Sequence, residues 1–145
     1  MTASGQFAVP ERNRTRLVLV GCALAVILAG LLIRFGVPRL SASPLAGLLG
    51  DLGGSVLYAA LWVILIRFVR PTMQRMPVAL WAFGISAAVE LLQLTTFPSL
   101  AVQKFAPLAL LLGSTFNPLD LVGYALGAVL GVAIFGAIGA QKDRT

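Results

Sequence analysis

Four apolar runs, at about 17–37, 49–68, 77–97 and 119–138, occupy most of this 145-residue chain, and each is long enough to cross a bilayer as a helix. At about 1.5 Å of rise per residue, roughly 20 residues cover the hydrocarbon core, where a chain must satisfy its backbone groups internally. The runs read as separate spans because breakers and charges stand between them. Pro38 follows the first, Arg67, Arg70 and Pro71 close the second, and Pro77 opens the third. A content of 59% hydrophobic and 11% charged residues, with a mean hydropathy of +0.95, excludes an ordinary soluble domain. The expected fold is all-α: a polytopic membrane protein built as a four-helix transmembrane bundle. It divides into a tail at 1–16, one transmembrane domain at 17–140 and a tail at 141–145.

The stretch between the third and fourth runs does not fit a span. From Pro98 to Pro118 the only charge is Lys104, Pro107 interrupts it, and Leu108 to Leu112 is apolar but too short to cross. A re-entrant or interfacial segment is expected there. Two processing signals compete with a first membrane helix and lose. Leu19-Val20-Gly21-Cys22 resembles a lipoprotein cleavage box, but the apolar run continues well beyond the cysteine. Ser41-Ala42-Ser43 resembles a signal-peptidase site, but Pro44 follows it.

Charge placement gives an orientation. Arg12, Arg14, Arg16, Arg67, Arg70, Arg75, Lys142 and Arg144 gather at one side of the spans, against Arg34, Arg39 and Lys104 at the other, eight of eleven basic residues against three. By the positive-inside bias the termini and the 70–76 turn are expected in the cytoplasm, in a multi-pass protein of the plasma membrane. The net charge of +6 is thereby explained by topology, and no nucleic-acid partner is expected, since the basic residues form no patch interleaved with aromatics. With one cysteine, Cys22, no internal disulfide can form. With no histidine, histidine catalysis and histidine metal sites are excluded, and neither a metal nor another cofactor is expected.

Glu90 then stands out, because it places a carboxylate inside the third span. Ser86, Glu90 and Gln93 are spaced i, i+4, i+7 and share one helical stripe, while Ala87, Val89, Leu91, Leu92 and Leu94 cover the rest. That stripe should face protein. An ionisable group at such depth is costly unless paired, protonated or beside water, so it marks a functional site or, in the plainer reading, a buried lock between helices. Arg34, Asp51, Asn117 and Asp120 lie at helix ends on the same side as Glu90 and Gln93, so the expected polar site lies between those ends. Capping of the second helix is the plainer reading of Asp51, and snorkelling to the interface that of Arg34. Gly123, Gly127 and Gly131 recur every four residues in the last run and should let another backbone approach closely, within the chain or between copies.

These residues also resemble a family. Gly30-Leu31-Leu32-Ile33-Arg34, Leu57-Tyr58-Ala59, Glu90-Leu91-Leu92-Gln93-Leu94 and the run from Leu112 to Gly127 are similar to the bacterial family called domain of unknown function 2809. Glu-x-x-Gln followed by an acid and a glycine-rich helix is also similar to the wider VanZ-like group, linked to glycopeptide resistance and so to the cell envelope. The resemblance singles out Arg34, Glu90, Gln93, Asp120, Tyr124 and Gly127. It departs at Gly54-Ser55, where the family carries Gly-Asp, which leaves that acidic position to be filled either by Ser55 itself or by Asp51 one turn earlier.

Three functions follow from a polar site in such a chain. The first is binding or transport of a lipid head group or envelope precursor, with membrane lipids as partners and a homo-oligomer needed if so small a chain transports. The second is an intramembrane enzyme using Glu90 and Asp120 as acid and base, which no nucleophile motif or phosphate loop accompanies. The third is a structural subunit of a partner membrane protein, its polar residues acting as interhelical glue.

Overall fold

The structure, a computed structural model, describes residues 11–40, 43–113 and 115–142, with side chains described for 13–36, 43–109, 111–113 and 115–135. Most of the expected tails, 1–10 and 143–145, and the side chains of Arg12, Arg39, Lys142 and Arg144 lie outside the described residues. Among those described, six α-helices follow in order: α1 (Glu11–Leu40), α2 (Pro44–Val69), α3 (Arg75–Leu92), α4 (Phe97–Lys104), α5 (Ala109–Leu112) and α6 (Pro118–Lys142). A 3-10 turn, Ala106–Leu108, joins α4 to α5. Four of the helices, α1, α2, α3 and α6, are long and apolar enough to cross a membrane. The two short helices fill the connector that the sequence marks as unable to span.

Exposure is inverted relative to a soluble bundle. Leu28, Leu32, Leu80, Val129 and Ile134 face outwards, whereas Ser55, Ser86 and Glu90 are buried. Lipid is the solvent that such an exterior suits. The chain is thus an all-α, multi-pass membrane protein.

Local chemistry explains where the helices begin and end. Helix α2 starts at Pro44, five residues ahead of the apolar run, because Ser43 caps it: its Oγ accepts the Ala46 N–H at 3.2 Å, and proline suits a first turn. Asp51 therefore lies in the third turn of α2 and is not its cap, which corrects the capping reading of that residue. Helix α1 continues through Pro38 to Leu40 instead of stopping there; so near a helix end, the missing proline N–H costs a single hydrogen bond. Helix α3 ends at Leu92, short of Phe97, because the Thr95 hydroxyl takes the Leu92 carbonyl at 2.6 Å and then accepts the Phe97 N–H. Glu90 consequently stands in the last turn of α3. In the turn between α2 and α3, Arg67 Nη1 donates to the carbonyls of Met73 at 2.7 Å and Pro71 at 3.3 Å, which holds the reversal tight.

Helix α2 is the hub, packed against α1, α3 and α6, while α3 also packs on α6. The glycine stripe of α6 lies against α2 within the chain. A Cβ at Gly123 would come 2.6 Å from the Ser55 Cβ, one at Gly127 would overlap the backbone carbonyl of Val56, and one at Gly131 would come 3.0 Å from Val63. Around this seam the interior divides in two. Towards the α2–α3 turn Val63, Val78, Ala82 and Ala128 form an apolar core bordered by Trp62, Phe83 and Phe135. Towards the other end the buried groups are Ser55, Ser86, Glu90 and Tyr124. The antiparallel pairing of α1 with α2 brings Arg16 over the Phe68 ring, 5.6 Å from its centroid, so the basic start of α1 and the α2–α3 turn share one end of the bundle.

Candidate functional site

The polar half of the interior is assembled where the end of α3, the start of α6 and the third and fourth turns of α2 meet. The α3 stripe Val78, Ala82, Ser86 and Glu90 is buried throughout, as its four-residue spacing requires. Ser86 satisfies itself, its hydroxyl donating to the Ala82 carbonyl at 2.9 Å. Glu90 has no solvent exposure and meets two donors: Oε1 accepts the Asn117 backbone N–H at 2.5 Å and Oε2 accepts the Tyr124 hydroxyl at 2.8 Å. Both oxygens are thereby committed to α6. These two bonds replace the water that the carboxyl group has lost.

Asn117 links the second carboxylate to the first. It immediately precedes α6, its Oδ1 accepting the Leu119 N–H at 3.2 Å, and Pro118 then opens the helix. Asp120, in the first turn, complements the helix dipole. Its Oδ1 accepts from Asn117 Nδ2 at 3.3 Å and from the Ser55 hydroxyl at 2.8 Å. Ser55 also lies 2.9 Å from the Asp51 carbonyl, and its single proton serves one of these acceptors at a time. Asp120 is half-buried, so unlike Glu90 it remains open to a ligand.

Gln93, one turn beyond Glu90, fastens the connector. Its Nε2 donates to the Leu112 carbonyl at 2.7 Å, while its buried Oε1 has no partner among the described residues. Gly113 follows with φ of 64°, and a Cβ there would stand 2.5 Å from Gln93 Nε2. Gly113→Ala is therefore expected to cost about 1–3 kcal/mol from backbone strain and overpacking, read as a lower melting temperature and faster proteolysis between α4 and α6.

Tyr124 carries the cluster towards the apolar core: its ring lies 5.9 Å from that of Tyr58, which meets Trp62 edge-on at 6.3 Å. Of the residues expected from sequence, the structure brings together Glu90, Asn117, Asp120 and Tyr124, with Gln93 beside them. It does not bring in Arg34, which is exposed on α1 and paired with no acid among the described residues. The Asp51 side chain is also exposed, and only its backbone carbonyl reaches the cluster. Lys104 is exposed at the end of α4 and balances neither carboxylate, and the side chain of Arg39 lies outside the described residues. Of the two candidates for the position where the family carries an acid, Ser55 meets Asp120 through its side chain and Asp51 does not.

This geometry offers hydrogen-bond acceptors, with no cation among the described residues beside them. Such acceptors pair with N–H or O–H donors.

Residues 45–128, running from α2 into the middle of α6 and containing Ser55, Glu90, Gln93, Asn117, Asp120 and Tyr124, match the family model described as Protein of unknown function (DUF2809). Helix α1, with Arg34, lies outside the matched region. No curated protein and no solved structure matches the chain. Since the match covers more than half of the sequence, the chain belongs to the DUF2809 family.

Proposed function

We propose that the protein sits in the plasma membrane with both termini in the cytoplasm and binds a lipid head group or cell-envelope precursor through the acid cluster, which opens on the outer face. The orientation rests on the eight-to-three distribution of basic residues. The observation that carries the binding reading is the asymmetry between the two acids. Glu90 is sealed and held by protein donors, whereas Asp120, tied to it through Asn117, keeps its Oδ2 free of any described partner and is half exposed. Glu90 is then a positioning residue, and Asp120 is the group that meets the ligand. The similarity of Glu90, Gln93 and Asp120 to the VanZ-like group is the reason to look for that ligand in the bacterial envelope. Because the described acceptors dominate, the favoured ligand carries an amine or hydroxyls near the reach of Asp120.

Native mass spectrometry of gently extracted protein tests this reading. Wild type is expected to retain a lipid or precursor adduct that Asp120→Asn loses, with the two proteins equally folded by circular dichroism. Equal adducts in both proteins, or none in either, would count against it.

A second reading has its own support. Both Glu90 oxygens are spent on α6, which is what interhelical glue in an accessory subunit would look like. In that case Asp120→Asn changes no adduct, and the protein is recovered with a partner membrane protein after mild cross-linking.

A further inference from the structure

At the other end of the bundle a cleft of about 570 Å³ opens between α2 and α3. Trp62 and Ile66 from α2 and Trp81 and Ile85 from α3 line it, and Arg70 and Thr72 stand at its turn end. The two tryptophans are the only ones in the chain. Helix geometry fixes its length. Its lining runs from Arg70 to Trp62 for about 12 Å along α2, and from Trp81 to Ile85 for about 6 Å along α3. One leaflet is about half of the ~30 Å hydrocarbon core, so the cleft runs to the depth of a single acyl chain.

Among the described side chains the charge at its mouth is positive. Arg67 is committed to the carbonyls of Pro71 and Met73. Arg70 is exposed, and its guanidinium engages no group among the described residues. Arg16 lies at the same end of the bundle and adds to the positive potential. A zwitterionic lipid would leave this charge unanswered, whereas a lipid with a net negative phosphate group answers it at the depth where head groups lie.

We propose that the cleft binds one anionic phospholipid from the leaflet at the basic end, its acyl chain between Trp62 and Trp81 and its phosphate on Arg70. This site lies at the opposite end from the acid cluster and does not depend on what that cluster binds.

The tryptophans supply the reporter. With Trp81→Phe in the full chain, Trp62 is the only indole, and its half-buried ring is reached by an acyl chain lying in the cleft. The protein is reconstituted in phosphatidylcholine vesicles with phosphatidylglycerol or phosphatidylcholine brominated on the acyl chain. Quenching of Trp62 is expected to show a preference for phosphatidylglycerol that drops about fivefold in Arg70→Gln, persists in Arg70→Lys, and weakens as ionic strength rises. Three results would overturn the proposal: equal quenching by the two lipids, a preference unchanged in Arg70→Gln, or no quenching by either. An unchanged melting temperature in the Arg70 variants separates loss of the site from loss of the fold.

Discussion

Glu90→Leu is expected to lower stability by about 2–5 kcal/mol, the largest loss of any single side chain in the interior. The substitution removes the acceptor for the Asn117 N–H and the Tyr124 hydroxyl and leaves both buried without partners, at about 1–3 kcal/mol each. Leucine itself is welcome in a membrane helix, so a hydropathy argument alone gives the opposite sign. Glu90→Gln should fall between, at about 1–2 kcal/mol, because its amide keeps one acceptor oxygen but turns an NH2 towards the second donor. Tyr124→Phe removes one donor instead of the acceptor and should cost about 1 kcal/mol. Combined with Glu90→Gln it should cost less than the sum, since the two residues share a bond. Thermal unfolding in a mild detergent reads all four variants. A Glu90→Leu protein as stable as wild type would mean that the carboxylate is not held as described.

Gly127→Ala is the second large effect. Elsewhere in a helix this change removes backbone entropy and is mildly favourable, by up to about 1 kcal/mol, and Gly84, with open space around it, should behave that way. At Gly127 the added methyl overlaps the carbonyl of Val56, and backbone cannot swing aside as a side chain can. Helices α2 and α6 must separate, with an expected cost of about 3 kcal/mol, at the upper end of overpacking effects. Because α6 carries Asn117, Asp120 and Tyr124, the same displacement pulls the cluster away from Glu90 and Ser55. Gly127→Ala should therefore lose the adduct seen in wild type as well as stability, whereas Gly84→Ala should lose neither. Paired melting curves and native mass spectra make the comparison.

The existence and number of the spanning helices are legible in the sequence because a bilayer demands about 20 consecutive apolar residues, a signal hard to mistake. Their limits are less so, since single side chains set them. Ser43 moves the start of α2 outward, and the Thr95 hydroxyl ends α3 at Leu92, within a run that reads as continuous. For the cluster, position along a helix fixes depth but not direction. That rule gathers Glu90, Asn117 and Asp120 correctly, and it also gathers Arg34 and Asp51. Arg34 is on α1, the helix joined to the bundle chiefly through α2, and its side chain faces outwards. Asp51 lies one turn above Ser55, beyond the seam with α6. Tyr124 was legible only through family resemblance, because an isolated tyrosine in an apolar helix does not announce a partner 34 residues away. Ser55 stood out only as a departure from the family pattern, and its partner was hidden for a related reason. A serine in a membrane helix ordinarily satisfies its own backbone, and only the approach of α6 reveals the Asp120 bond.

Side-specific labelling of single cysteines tests most directly the claim that the acid cluster faces outwards. With Cys22→Ala as background, Ser99→Cys in α4 reports the end that holds the cluster, and Gln74→Cys reports the basic turn; both positions are exposed. A membrane-impermeant maleimide added to intact cells should label Ser99→Cys at once and Gln74→Cys only after permeabilisation. The reverse pattern would place the cluster in the cytoplasm and contradict an envelope ligand at this site.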